Sequence, residues 1–263
     1  MPLAARVVRA ERLPTAEHVP VVIVGAGACG LTAAIALRDR GIACVLLERD
    51  ATPSGSTALS SGFIPAAGTR AQAAQGITDS APTFAEDILA KTKGTAAAHL
   101  VQAYAQASAP AIDALAAHGL AFSVLDNFLY PGHRVHRMHT LPQRTGQALV
   151  AALLQAAQAA GADWLGDAHV VEIWADASDR VLGVGYARPD GRIEHLGCDA
   201  LLLACNGFGG NPELVAELLP AMREATFAGH AGNDGSAIQW GRALGAGLAD
   251  LGGYQGHGSW VVP

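Results

Sequence analysis

Apolar residues recur in two spacings along this chain of 263 residues, and each spacing predicts a different element. Pro20-Val-Val-Ile-Val24 is an unbroken β-branched run that stops at a glycine turn, which predicts a buried strand. Over residues 31–40, Ala and Leu recur at helical spacing, and Gly41 follows as a C-terminal stop. Residues 42–47 are apolar again, so this region reads as a strand–helix–strand unit. Further strands are predicted over 170–174, 181–186 and 199–205, with Pro189-Asp-Gly191 as a turn signal. Thr83-x-x-Glu86 has the form of a capping box and predicts a helix running toward Lys93. An Ala-rich helix is expected over 96–118, broken at Pro110. Others are expected over about 145–160, from Pro212, and over 235–245. Residues 1–18 read as a polar arm, and 52–78 as a long low-charge loop of the kind that carries function.

Composition narrows the picture. Hydrophobic residues make up 51% of the chain and charged residues 15%, with 31 Gly and 55 Ala, which excludes disorder as the main description. The net charge is −6, and of 17 basic residues only Lys91 and Lys93 are lysines. With no basic stripe, a nucleic-acid partner is excluded. No apolar run reaches the roughly 18 residues of a membrane span. The first 20 residues interleave Arg6, Arg9, Glu11, Arg12 and Glu17 and lack the apolar core of a signal peptide. Cys29, Cys44, Cys198 and Cys205 are scattered without paired spacing, which points to a reduced, cytoplasmic protein. The expected architecture is α/β with a parallel central sheet: an arm over 1–18 and one domain over 19–263.

Gly25-Ala26-Gly27-Ala28-Cys29-Gly30 carries the first candidate chemistry. Three glycines between a strand and a helix allow a tight turn, close approach of a pyrophosphate, and close helix–strand packing. The phosphate then meets the free N–H groups of the following helix. Glu48 ends the second strand 18 positions past Gly30, where a carboxylate accepts both hydroxyls of a ribose. A carboxylate there disfavours a 2′-phosphate, so FAD or NAD is favoured over NADP.

The choice between them comes from a resemblance that runs from about Val21 to the last residue. Its carriers are the glycine fingerprint with Leu46-Leu-Glu48-Arg49; Gly55-Ser56-Thr57-Ala-Leu-Ser60-Ser61-Gly62; Leu202-Leu-Ala204-Cys-Asn206-Gly207-Phe-Gly-Gly-Asn211; and Gly232-Asn-Asp234-Gly235 followed by Gln255-Gly-His257-Gly-Ser259. In this order they resemble the flavoprotein family of fumarate reductases, succinate dehydrogenase flavoprotein subunits and 3-ketosteroid 1-dehydrogenases. The resemblance implies a Rossmann-like FAD-binding domain. It implies that Gly25, Ala26, Gly27, Ala28, Gly30, Glu48, Arg49, Ser56, Thr57, Ser60, Ser61, Gly62, Val170, Ala204, Asn206, Gly207 and Asp234 hold the cofactor. Val170 matches the position whose backbone meets adenine. Membrane-bound relatives carry a covalently flavinylated histidine where Ser56 stands, so FAD is expected to be non-covalent here. His257 and Ser259, with Gly62, are implied to hold a small-molecule substrate by its carboxylate or carbonyl. The implied reaction is hydride transfer between flavin and a C–C bond beside that group, with an electron donor or acceptor not named by the residues. The family's proline after the histidine is Gly258 here.

Several alternatives belong beside this. Asp234 just before a helix also reads as an N-cap. His133, His136 and His139 suggest a metal, but Pro131, Gly132 and Pro142 disfavour a helix and strand alternation splits the three, so no metal is expected. Arg137 and His139 loosely match pocket-lining positions of relatives. A short-chain nicotinamide reductase is disfavoured because no Tyr is followed by Lys four residues on. In relatives a cap domain with the main acid–base residue, and then a C-terminal segment, follow the histidine motif. Both are expected to be absent from a chain ending at Pro263. No catalytic acid or base is therefore assigned, and a fragment, a non-catalytic FAD-binding remnant or a chain with a partner polypeptide stays open.

Overall fold

The apolar run at Val21 lies in the interior of the sheet because both of its faces find a core. The computed structural model describes residues 5–254. In chain order the main elements are β1 (Arg6–Arg9), β2 (His18–Val24), α1 (Ala28–Arg38), β3 (Cys44–Leu47), α2 (Ser56–Leu59), β4 (Ile64–Pro65), α3 (Arg70–Ala74), α4 (Ala81–Lys91) and α5 (Ala98–Ala117). They continue with β5 (Ser123–Val124), β6 (Met138–Thr140), α6 (Gly146–Ala159), β7 (Asp163–Leu165), β8 (His169–Ala175), β9 (Val181–Ala187), β10 (Ile193–Leu203), α7 (Pro212–Leu218) and α8 (Ser236–Ala243). Seven strands form the main sheet in the order β1-β8-β9-β10-β2-β3-β7.

Alternation along β2 feeds two cores. Val22 and Val24 pack with Leu47, Val170, Ile173, Val184 and Trp240. Ile23 turns the other way, onto Leu31 and Ile35 of α1 and Leu149 and Leu153 of α6. Each such side chain, once fully buried, contributes about 1.5–3 kcal/mol. The sheet is parallel across β10, β2, β3 and β7, as expected. It is antiparallel across β8, β9 and β10, because the turn at Asp190-Gly191 folds β9 and β10 into a hairpin.

Four sequence expectations are corrected. The arm contains β1, which pairs in parallel with β8, and Arg6 reaches the buried Glu172 carboxylate. The 52–78 stretch contains α2, β4 and α3, and its capping box is Thr69–Gln72. The next helix starts earlier than Thr83, with Ser80 as N-cap, because Pro82 suits a first helical turn that needs no N–H. Finally, α5 runs through Pro110 unbroken. Its buried stripe of Val101, Ala105, Ser108, Ile112 and Leu115 holds the helix to its lobe. Pro110 and Gln106 are exposed, so the carbonyl that proline leaves unbonded meets water.

That lobe joins α3, α4 and α5 to the small sheet β4-β6-β5 and is pinned by a buried ion cluster. Arg137, fully buried, donates from Nε and Nη2 to the two oxygens of Asp79 at 2.9 and 3.1 Å, and from Nη1 to Asp87 at 2.6 Å. Burial alone pushes the Asp87 carboxyl up, but hydrogen bonds from Arg134 and Arg137 outweigh it and hold it below the usual range. His139, also fully buried, donates from Nδ1 to the Arg137 carbonyl at 2.9 Å and pairs through Nε2 with Thr69 Oγ1 at 2.7 Å.

Burial lowers the pKa of His139, and it does the same at His133 and His169. Above about pH 6.5 these imidazoles are neutral in both folded and unfolded chains. Below it the unfolded chain takes up protons that the folded chain resists, so stability falls with pH. The urea midpoint is expected to drop between pH 7.5 and 5.5, and to drop less in His139→Gln. A midpoint unchanged over that range contradicts the account.

Candidate functional site

The parallel strands β10, β2 and β3 end at one edge of the sheet, where their loops enclose a cavity of about 450 Å³. The turn after β2 is compressed against its neighbours. Gly25 has φ +103°, donates its N–H to Leu47 O at 2.8 Å, and would place a Cβ only 2.6 Å from Ala204 O. A Cβ on Gly30 would lie 2.0 Å from Gly25 O. Both positions therefore exclude a side chain, and the helix starts at the cavity wall. Gly27 is the N-cap and has no side chain to cap with. Ala28 N–H donates to Thr57 Oγ1 at 3.1 Å, and Leu31 N–H donates to Gly27 O at 3.0 Å. The N–H groups of Cys29 and Gly30 have no protein acceptor among the described residues, which leaves a positive helix end with free donors.

Glu48 lines the same cavity and is buried. Its Oε2 accepts from Ala26 N at 2.9 Å and its Oε1 from Asp50 N at 3.2 Å. Each oxygen keeps a second lone pair for a hydroxyl donor. Arg49 reaches across the cavity wall and donates from Nη1 to Gly232 O at 3.0 Å and to Asp234 Oδ2 at 3.1 Å. Burial raises the Asp234 pKa, but two hydrogen bonds from Ser236 and the Arg49 charge overcome that and keep the carboxyl ionised below its usual range. The N-cap of α8 is Gly235, at φ +82°, and not Asp234 as the sequence suggested; Asp234 instead ties the turn before the helix to Ser236 and forms a wall of the cavity. Ser56 Oγ sits between the side-chain amides of Asn206 and Asn233.

The structure gathers most of the predicted residues here: Gly25, Gly27, Ala28, Glu48, Arg49, Ser56, Thr57, Val170, Ala204, Asn206 and Asp234 all line the cavity. Ala26 and Gly30 shape the turn from behind. Gly207 supports the wall by accepting from Gly235 N at 3.0 Å. Ser60, Ser61 and Gly62 lie beyond α2, outside the lining. Gly62 approaches α6 instead, where a Cβ would meet Thr145 O at 2.7 Å. His257 and Ser259 lie outside the described residues. Arg137 and His139 belong to the ion cluster of the small lobe and do not line the cavity.

The sequence assigned no part to several residues that line the cavity, among them His169, His230 and Asn233. His169 opens β8 next to Val170; its pKa is lowered by burial and by Arg49. His230 pairs through Nε2 with Asp50 at 3.0 Å and accepts Gly232 N–H at Nδ1, 3.0 Å, tying two loops together. Cys205 lies two residues past the end of β10, and burial pushes its thiol up to about 11. No pattern in the sequence marked the two histidines, since each lies at the boundary of an element. Among the described residues no cluster could hold a metal ion, and no helix is long and apolar enough to cross a membrane.

Comparison with known proteins places this geometry. The FAD binding domain family matches residues 20–261. The NADH:fumarate oxidoreductase of Klebsiella pneumoniae is 30% identical over 241 residues, 90% of this chain and 26% of that protein. A cytochrome-type fumarate reductase of Shewanella frigidimarina is 28% identical over 253 residues, 95% of this chain and 44% of that protein. The open conformation of a flavocytochrome c3 fumarate reductase superposes with a TM-score of 0.80 at 26% identity, over 88% of this chain and 41% of that one. The chain thus spans less than half the length of these relatives. The residues present fit FAD: a cradle that excludes Cβ atoms, free N–H donors at a helix start, and a buried carboxylate with free lone pairs.

Gly30→Ala is the sharpest test of the cradle. The added methyl must displace backbone, so the variant is expected to lose about 1–3 kcal/mol of stability and to bind FAD more weakly than the parent. A variant of unchanged urea midpoint and unchanged FAD affinity contradicts the packing described.

Proposed function

The chain belongs to the FAD binding domain family, and from that premise we propose that it is an FAD-dependent oxidoreductase module acting on a C–C bond beside a carbonyl or carboxylate. The observation that carries the reading is the compressed turn at Gly25 and Gly30, which aims unpaired N–H groups at a cavity that Glu48 closes from the other side. In this reading Gly27, Ala28 and the start of α1 hold the pyrophosphate, whose charge suits a helix N-terminus. Glu48 accepts the ribose hydroxyls, and the backbone at Val170 borders the adenine. Arg49, Asp234, Ser56, Thr57, Ala204 and Asn206 line the remaining length. Ser60, Ser61, Gly62 and Gly207 are assigned to the same cofactor by resemblance. Serine at position 56 offers a hydroxyl and no imidazole, so the cofactor is held without a covalent bond.

Bound FAD supplies the hydride acceptor or donor. The chain's own residues bind it, orient it and exclude water from its nucleotide end. The substrate class follows from the relatives. Fumarate reductases and the urocanate reductase of Eggerthella lenta, 28% identical over 237 residues, are named for carboxylates conjugated to a C=C bond. His257 and Ser259 are proposed to grip that carboxylate, or an equivalent carbonyl, by hydrogen bonds that strengthen as charge builds on oxygen; Gly62, whose N–H already donates to Ser60 Oγ at 3.0 Å, is assigned to the substrate by resemblance alone. A reduced, cytoplasmic setting belongs to the same proposal and is supported by four cysteines that are all free.

The test is anaerobic. Loaded with FAD and photoreduced, the protein is mixed with fumarate, urocanate or a 3-keto-4-ene steroid, and flavin reoxidation is followed in the visible. One of these acceptors is expected to reoxidise the flavin, and His257→Ala to slow that step at least tenfold while retaining the cofactor. Reoxidation no faster than in buffer with every acceptor overturns the proposed reaction.

A further inference from the structure

Ser56 is held in a way that decides which way its proton points. Its Oγ accepts from Asn206 Nδ2 and from Asn233 Nδ2, the latter at 3.1 Å. A hydroxyl has two acceptor lone pairs and one donor. Both acceptor positions are thus filled, and Ser56 O–H has no acceptor among the described residues. The amide orientation at Asn206 is fixed independently, because its Oδ1 accepts Gly207 N–H at 2.9 Å. Its backbone is also set, at φ +71°, a left-handed conformation that asparagine tolerates better than most residues. Asn233 is anchored through its backbone: its N–H donates to His230 O at 3.0 Å and its carbonyl accepts from Gly210 N at 2.8 Å. Three loops, after β3, after β10 and before α8, thus meet at one oxygen. All three side chains line the cavity.

We infer that Asn206 and Asn233 are positioning residues that turn the Ser56 hydroxyl into an obligate hydrogen-bond donor facing the cofactor. The ligand atom at that point is therefore an acceptor: a carbonyl or phosphoryl oxygen, a hydroxyl oxygen, or an unprotonated ring nitrogen. A ligand presenting an N–H there meets a second donor and is rejected, since a buried unpaired donor is costly. Asn233 thereby gains a role that its contacts with the cavity alone do not give it. The inference rests on the FAD reading above and specifies one polarity within it.

The test is a double-mutant cycle on FAD affinity, measured by equilibrium dialysis with circular dichroism and thermal unfolding as folding controls. Ser56→Ala removes the donor and is expected to weaken FAD about tenfold. Ser56→Thr keeps the hydroxyl and is expected to stay within about threefold of the parent. Asn233→Asp replaces an amide donor by a carboxylate acceptor, so the Ser56 proton turns inward, and affinity falls by a similar factor. In the Ser56→Ala background, Asn233→Asp then has no hydroxyl left to turn and adds nothing. Additive losses mean that the new charge acts on the ligand directly, and they overturn the inference. So does a Ser56→Ala variant of parental affinity. If the parent itself retains no FAD, the FAD reading falls first and takes this inference with it. Asn233→Ser, which keeps a small neutral side chain, replaces Asn233→Asp if the latter fails to fold, and its effect is likewise expected to vanish in the Ser56→Ala background.

Discussion

The contact between Gly30 and the carbonyl of Gly25 governs the rest of the molecule. It lets α1 leave β2 within a single turn and still lie flat on the sheet. Once there, the helix buries Leu31, Ala34 and Ile35 against Ile23 and Leu46, which is the centre of one core. Its first turn necessarily points its spare N–H groups past the edge of the sheet. Stability and ligand binding therefore share one geometric requirement. An anion bound at that helix end would add to stability by mass action, because the unfolded chain has no such site.

The strand–helix–strand unit does not make the cavity alone. Its far wall comes from residues distant in sequence, and polar contacts bring them in. Arg49 crosses to Gly232 and Asp234, His230 crosses to Asp50, and Asn211 donates to the Asp234 carbonyl at 2.9 Å. None of these partly exposed pairs contributes much energy by itself. Their effect is geometric: they hold the loop before α8 against the loops after β3 and β10. The Ser56, Asn206 and Asn233 node lies at that junction, so loop placement and ligand polarity are set by the same atoms.

What could be read from the sequence divides along a physical line. Elements defined by local pattern were legible: the β2, α1 and β3 unit, α6, β8, β9 and the turn at Gly191, whereas β10 was read only from residue 199 although it starts at Ile193, and β7 was not read. The glycine fingerprint was legible because its function needs the absence of side chains, and absence shows directly in a sequence. Elements decided by tertiary contact were not. β1 exists because the edge of β8 was open and Glu172 offered a buried carboxylate to Arg6. The helix through Pro110 survives because its opposite face is buried. At the site, Glu48, Arg49 and Asp234, named from the sequence, line one cavity. The orientation of Ser56 by two amides could not be read, since Asn206 and Asn233 lie 150 and 177 positions away from it. His169 and His230 likewise acquire their place only when three loops converge.

Whether this chain forms an FAD site from its own residues is decided by one measurement. The 263-residue protein is incubated with FAD, freed of excess, and its visible spectrum recorded before and after denaturation. A near-stoichiometric flavin band is expected in the folded protein, released in full into the supernatant when the protein is precipitated by acid. A folded, colourless protein that takes up NAD in place of FAD would contradict the FAD reading.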